Sequence, residues 1–228
     1  MKWQDYAPEY TTRVREDIEW SISYTFNAND RDTPRVLLIG DSICNGYHKD
    51  VRSRLDGRVN VTFWASSKCV TDPDYFRELN FMLDGGPFAI ICFNNGLHSL
   101  SADRAEWTNA YASALDFIHA KHPNALISVT LNTPVCIADK CAQAAELNDI
   151  ARAKANERKL PVIDLFSAMD ALDRTEHWRD DYHFHPAAIG IQADIIAAHV
   201  LDRLSLNDTQ PAAVHVSAAA GPDGKADE

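Results

Sequence analysis

The sequence lacks several features that mark common classes of protein. It has no CxxC pair, and its five cysteines are an odd number, which argues against a zinc ribbon and against a disulfide framework. It has no apolar run of the roughly 18 residues that a membrane-spanning helix needs, and its first residues lack the apolar stretch of a signal peptide. We therefore expect a soluble chain, cytoplasmic unless a leader has been removed.

Basic residues are also scarce. The chain has 22 Lys and Arg against 33 Asp and Glu, which gives a formal net charge of -11 at pH 7. A surface of this charge repels phosphate backbones and anionic lipid headgroups. We expect neither a nucleic acid nor a membrane as a partner, and the sequence leaves the oligomeric state open.

Apolar runs alternate with helical stretches along most of the chain. Five runs are continuously hydrophobic, as strands buried on both faces are: residues 35–40, 59–64, 88–94, 125–132 and 160–165. Helical stretches lie near residues 46–55, 73–84, 103–121, 141–158 and 187–204. This alternation predicts an α/β fold, a three-layer α/β/α sandwich with a five-stranded parallel sheet.

The 228 residues, 46% of them apolar, favour one main domain. We place it at residues 34–205. Residues 1–33 are a mixture of aromatic and charged side chains, and they are predicted to be an N-terminal extension packed on the domain. Residues 206–228 are small, polar and rich in Ala, Gly and Pro, so they are predicted to be a disordered tail.

Polar residues stand where the predicted strands end, which is where ligands bind in open α/β sheets. The first predicted strand ends at Gly40-Asp41-Ser42. A hydroxyl at this point would be exposed at the floor of a cleft and could act as a nucleophile. Asp41 or Ser42 could instead simply cap the helix that follows, which both residue types commonly do.

A serine nucleophile needs a base and an acid that orients the base. Asp180 and His183 are three residues apart in a late loop, so the carboxylate can fold back onto the imidazole. Asp181 and His185 stand beside them as alternatives.

Donors for a developing oxyanion are expected near the third predicted strand. Asn94, Asn95 and His98 cluster at its end, although Asn95-Gly96 is also a common turn dipeptide.

Three tryptophans offer either core packing or faces for sugar stacking: Trp64, Trp107 and Trp178. Most of the cysteines are expected to be buried thiols, and Cys136 and Cys141 are close enough for a local disulfide.

Together, "LLIGDSICNGY", "FNNGLHSL" and "DDYHFHPAAIG" resemble the blocks of the SGNH (GDSL-type) hydrolase family over residues 34–204. The third block is most similar to that of a bacterial subgroup with Asn-x-Gly-Leu-His or Asn-x-Gly-Leu-Trp. The resemblance implies the flavodoxin-like SGNH hydrolase fold, with Ser42 as nucleophile and oxyanion donor through its N–H, His183 as base and Asp180 as the orienting acid. It implies no metal and no organic cofactor.

The resemblance implies a serine esterase acting on small acyl groups, most often acetyl groups on carbohydrates, so the expected partner is a small-molecule or glycan ester. Two departures bear on activity. The second block, "FWASSKCVTD", has no glycine, so a backbone N–H of Ser66 or Ser67 would have to serve as an oxyanion donor. With Gly96 aligned on the family glycine, His98 takes the place of the asparagine donor, unless Asn94 serves instead. The alternative function is therefore a weak or inactive ligand-binding protein of the same fold.

Overall fold

The computed structural model describes residues 2–208. Within them a central sheet has strands β1 (Ser21–Thr25), β2 (Arg35–Gly40), β3 (Asn60–Ser66), β4 (Ile90–Phe93), β5 (Leu126–Thr130) and β6 (Val162–Ile163). The order across the sheet is β1-β3-β2-β4-β5-β6. Strands β2 to β6 run parallel to one another, and β1 pairs antiparallel with β3.

Helices cover both faces of this sheet. They are α1 (Ser42–Leu55), α2 (Pro73–Asp84), α3 (Arg104–Lys121), α4 (Ala138–Glu157), α5 (Leu165–Asp170), α6 (Arg174–His177) and α7 (Pro186–Asp208). One face is packed by α2, α3 and part of α4, and the other by α1, α5 and α7. The predicted three-layer α/β/α sandwich is therefore confirmed.

The sheet contains one strand that the sequence pattern does not predict. Residues 21–25 lie within the predicted N-terminal extension, and they form β1 at the edge of the sheet. Trp64 Nε1 donates a hydrogen bond of 2.8 Å to Ser21 Oγ across this pair. β1 keeps much of its surface in water, so it lacks the continuous apolar run that reveals the five parallel strands.

Two helix boundaries differ from the prediction. Helix α1 begins at Ser42 rather than near residue 46, because the Asp41 side chain caps it by accepting a 2.9 Å hydrogen bond from the N–H of Ile43. Helix α7 continues to Asp208, so the first three residues assigned to a disordered tail are helical. The remainder of that predicted tail, residues 209–228, lies outside the described residues.

The five cysteines carry free thiols, and Cys44, Cys69 and Cys92 are buried. Burial raises the pKa of Cys92 to about 12. Cys136 is exposed and is not joined to Cys141. In the part of the chain that is described, no helix is long and apolar enough to span a membrane.

Candidate active site

The sheet order reverses between β2 and β4, and this reversal creates a crevice at the carboxyl ends of the two strands. Ser42 follows β2, and Asn94 follows β4. The backbone N–H of Asn94 donates to the carbonyl of Ile39 at 3.0 Å, so the two strand ends are adjacent. The site predicted from polar strand ends therefore lies at the switch point of the sheet.

Gly40 allows the first turn of α1 to pack tightly against β2. A Cβ at this position would lie 2.6 Å from Cys44 Cβ, closer than side-chain atoms approach. The turn leaves the hydroxyl of Ser42 facing the cleft, 2.9 Å from His183 Nε2. Asp41 therefore caps the helix, and Ser42 meets a histidine, which is the contact that the interpretation of Ser42 as a nucleophile requires.

His183 is held from its other side by Asp180. Its Nδ1 lies 2.8 Å from Asp180 Oδ1 and 3.0 Å from Oδ2. A nitrogen between two carboxylate oxygens must carry the proton, so Nε2 of the neutral ring is left to accept from Ser42. The three side chains form a continuous hydrogen-bonded chain from carboxylate to hydroxyl.

The loop that carries Asp180 stabilises its ionised form. Partial burial alone would raise the pKa of Asp180, but backbone N–H groups of Tyr182 and His183 donate to Oδ1 at 3.0 and 2.8 Å, and the His183 ring donates as well. These bonds outweigh burial and hold the pKa of Asp180 far below its ordinary value. Arg179 adds contacts of 3.2 and 3.3 Å to Oδ2.

The structure distinguishes this pair from its neighbours. The Asp181 carbonyl accepts from the backbone N–H of Cys136, and the backbone N–H of His185 donates to the carbonyl of His177, both at 2.8 Å. These backbone bonds of Asp181 and His185 tie chain segments together, whereas His183 reaches Ser42 and Asp180 contacts His183.

The predicted side-chain donors for an oxyanion have partners elsewhere. Both hydrogens of the Asn94 amide are used, by the Thr130 carbonyl at 2.9 Å and by Asn132 Oδ1 at 3.0 Å. His98 Nδ1 lies 2.6 Å from Glu16 Oε1. Both amide hydrogens of Asn94 and the Nδ1 atom of His98 are thus engaged, and the choice between the two residues as oxyanion donors stays a prediction.

The backbone N–H groups considered as oxyanion donors differ in whether they are already bonded. The N–H of Ser67 donates to the Trp20 carbonyl at 3.1 Å, and the Ser66 hydroxyl donates to the same carbonyl at 3.2 Å. Within residues 2–208, by contrast, no acceptor takes the N–H of Ser42. The N–H of Ser42, which the resemblance implies as an oxyanion donor, is therefore available, whereas the N–H of Ser67 is already bonded.

Two asparagines that the sequence analysis missed support the strand ends. Asn132 Oδ1 accepts from Asn94, and Asn132 Nδ2 donates to Asn148 Oδ1 at 2.9 Å. Gly96 leaves room for this link, since a Cβ there would lie 2.1 to 2.5 Å from the Asn132 side chain. Asn132 follows β5, so the rule that directed attention to Ser42 and Asn94 could have found it, but Asn148 in α4 gives no such signal.

Residues 13–20, which we term the N-terminal strap, cover the loop after β3. The Arg13 guanidinium pairs with Asp72 and with Glu19, and it donates to the Ser67 carbonyl at 3.1 Å. Burial would raise the pKa of Glu19, but a hydrogen bond from Ser67 and the charge of Arg13 lower it. The strap is therefore fastened to the segment in which the expected glycine is absent.

A pocket of about 180 Å³ opens beside Ser42, and we term it the side pocket. Ser42, His183 and Arg179 line it together with Ile43, Phe184 and Ile189. It combines an apolar wall with a polar rim, as small-molecule sites do.

The three tryptophans considered for sugar stacking are in the core. Trp64, Trp107 and Trp178 are 1%, 0% and 6% exposed, so none presents a ring face to a ligand. Trp178 packs instead on Phe184, with ring centroids 4.5 Å apart.

Comparison with solved structures identifies the architecture. The chain is similar to the lipase/acylhydrolase from Enterococcus faecalis, at 19% identity and a TM-score of 0.61, over 75% of this chain and 97% of that one. It is also similar to a GDSL-like lipase from Bacteroides thetaiotaomicron, at 16% identity and a TM-score of 0.60, over 76% and 88% of the two chains. The chain has the fold of the SGNH hydrolases.

A third structure with this SGNH fold is the acetyl xylan esterase AlAXEase, at 16% identity and a TM-score of 0.61, over 73% of this chain and 99% of that one. No protein-family model and no curated protein matches the chain. The SGNH fold predicted from the three blocks is thus confirmed by structure at identities too low for whole-sequence comparison to reveal it.

No cluster of three or more His, Cys, Asp or Glu side chains is placed to hold a metal ion among residues 2–208. The groups available for chemistry in the cleft are the hydroxyl of Ser42, the imidazole of His183 and the carboxylate of Asp180, joined in that order by hydrogen bonds.

Proposed function

We propose that the protein is a serine esterase that hydrolyses carboxylic esters through an acyl-enzyme on Ser42. The observation that carries the proposal is the hydrogen-bonded chain from Asp180 through His183 to Ser42, with 2.8 and 2.9 Å between successive polar atoms. A nucleophile, a base within hydrogen-bond reach and an acid that orients the base are the three components of nucleophilic acyl transfer.

In the proposed mechanism, Ser42 Oγ attacks the ester carbonyl while His183 Nε2 takes the hydroxyl proton. The tetrahedral intermediate collapses as the carbon–oxygen bond to the alcohol breaks, and His183 returns the proton to the departing alkoxide. A water molecule then attacks the acyl-enzyme with His183 again acting as base, which releases the acid and regenerates the serine. No step uses a metal or an organic cofactor.

The electrostatics of the site support these roles. The lowered pKa of Asp180 keeps this carboxylate charged when His183 becomes positive, which stabilises the imidazolium. The unpartnered N–H of Ser42 is the donor we assign to the oxyanion. The positive end of α1 points toward the same position, because Ser42 is the first residue of that helix.

We propose acetyl or other small acyl esters on carbohydrates as the substrate class. The support is the side pocket, which is open and holds only about 180 Å³, together with the shared fold of an acetyl xylan esterase.

The test is hydrolysis of 4-nitrophenyl acetate by the wild-type protein and by Ser42→Ala. We expect the variant to lose at least about 10³-fold in kcat, because the covalent route is closed. Ser205→Ala is the matched control, since Ser205 is exposed near the end of α7 and its hydroxyl donates to the Asp202 carbonyl at 2.8 Å. Equal rates in the wild type and in Ser42→Ala would refute the proposal.

A second candidate is a ligand-binding protein that has the fold without turnover. It is favoured by the engagement of Asn94 and His98 with other partners, because a poor oxyanion hole costs about 10² to 10³ in rate for each donor that is lost. A fluorophosphonate probe separates the two candidates. The esterase takes one adduct, which peptide mass spectrometry locates on Ser42, and the binding protein takes none.

A further inference from the structure

The side pocket has an unusual charge for this protein. The chain as a whole carries a formal charge of -11, which disfavours anionic ligands at long range. Yet of the described side chains that line the pocket, Arg179 alone bears a permanent charge. The other polar groups on its rim are the amides of Asn45 and Gln192 and the hydroxyl and imidazole of the site itself.

Arg179 is available to bind a ligand. Its Nε and Nη2 contact Asp180 Oδ2 at 3.3 and 3.2 Å, and the two side chains are 59% and 44% exposed. An exposed ion pair of this kind contributes little to stability, so redirecting the guanidinium costs little. Asp180 keeps its bonds to the backbone and to His183 when Arg179 moves.

The guanidinium also has the shape for one class of ligand. Five N–H groups in a planar fork match the two oxygens of a carboxylate, and only two of the nitrogens are engaged with Asp180. The apolar wall of Ile43, Phe184 and Ile189 fits the carbon skeleton between that carboxylate and the reacting carbonyl.

We propose that Arg179 is a specificity-determining residue that binds a carboxylate on the ester substrate, so that the preferred substrates are anionic esters. This inference rests on the proposed esterase function. The carboxylate can belong to the alcohol part, as in an acidic sugar, or to the acyl part, as in the half-ester of a diacid. Both place the same chemistry in the side pocket.

The experiment measures kcat/KM for two pairs of esters. 4-Acetoxybenzoate and its methyl ester differ in charge on the alcohol side, and 4-nitrophenyl hydrogen adipate and 4-nitrophenyl hexanoate differ in charge on the acyl side. The preference for the charged member is compared between the wild type and Arg179→Gln, so that any general effect of Arg179 on Asp180 cancels in the ratio. Arg104→Gln is the control with the same change in net charge, because Arg104 lies on α3 and pairs with Glu146.

We expect the preference for the anionic ester in one pair to fall about tenfold to a hundredfold in Arg179→Gln, mainly through KM, as is usual for hydrogen bonds to a charged group. Arg179→Lys should restore part of it, Arg104→Gln should leave it unchanged, and added salt should weaken it. A fall in the first pair places the carboxylate on the alcohol, and a fall in the second places it on the acyl group.

Two results would overturn the inference, and they are distinguishable. If Arg179→Gln leaves both ratios unchanged while the neutral esters are still hydrolysed, Arg179 does not select the substrate and the esterase stands. If the wild-type protein hydrolyses none of the four esters and takes no fluorophosphonate adduct at Ser42, the proposed function fails and the inference fails with it.

Discussion

Arg13 and Asp72 form an ion pair that is almost fully buried, with side chains 1% and 0% exposed. Asp72 Oδ2 accepts from Arg13 and from the backbone N–H of Cys69, and within the described residues Oδ1 has no hydrogen-bond partner. Arg13 is therefore the main compensation for the Asp72 charge. Methionine at position 13 would keep most of the apolar stem and remove the guanidinium.

We expect Arg13→Met to lower the free energy of unfolding by about 3–5 kcal/mol, because it leaves a buried carboxylate uncompensated. For a chain of this size that corresponds to a fall in Tm of roughly 6–20 °C. Thermal and urea unfolding of the purified variants, followed by circular dichroism, measure the change.

Arg152→Met is the matched control, because Arg152 is 43% exposed and its 3.1 Å contact with Asp164 lies at the surface, whereas Arg15 Nε lies 3.9 Å from Asp72 itself. Its loss should cost no more than about 1 kcal/mol. The double variant Arg13→Met/Asp72→Asn should recover part of the loss, since asparagine is uncharged and can still accept from Cys69. If Arg13→Met is as stable as Arg152→Met, the strap does not depend on this pair and the reasoning is wrong.

Three further predictions concern the site and the core. Gly96→Ala should destabilise the fold by about 1–3 kcal/mol and lower kcat, because its Cβ would displace Asn132. Gly46→Ala in α1 should be neutral or stabilising, because a Cβ there would have no atom within 4 Å. The Tm and the rate of ester hydrolysis of the two variants measure these effects. Asp180→Asn should reduce kcat by about 10⁴ with little change in KM, and a loss below tenfold would contradict its role. Burial lowers the pKa of His48 in the folded protein. As the pH falls below about 6.5, His48 is therefore protonated in the unfolded chain before it is protonated in the folded protein. The stability that is present above that pH is lost on acidification. His48→Phe should flatten the urea-unfolding profile between about pH 7 and pH 5, and an unchanged slope would count against this assignment.

Much of the fold follows from local patterns. Strands β2 to β5 are buried almost throughout, so their runs of apolar residues are visible in the sequence. Helix α2 is predicted at its observed bounds, Pro73–Asp84. The edge strand β1 was missed because its residues are mostly exposed and resemble a loop. The short helices α5 and α6 were missed for a related reason, since four to six residues are too few to show a helical period.

The candidate site shows the same division. Ser42, Asp180 and His183 were chosen from the sequence because each belongs to a short block with a recognisable order of residues. The partners of His98 and Asn94 were not, because Glu16 lies 82 residues and Asn132 lies 38 residues away in the chain. Polar side-chain atoms that looked available in the sequence have hydrogen-bond partners in the folded protein. Whether such an atom is free depends on which residues the fold places beside it, and not on its residue type.

The sequence by itself determined the α/β class, the parallel strands and the short blocks that contain Ser42, His183 and Asp180, because these depend on burial patterns and spacings within a few residues. Only the tertiary structure decided that Ser42 and His183, 141 residues apart, meet at 2.9 Å. It also decided that the strap closes over the loop after β3 and that Arg179 lines the pocket beside Ser42. These contacts form between distant segments as the layers pack, and distances between such segments are not encoded in any local pattern of residues.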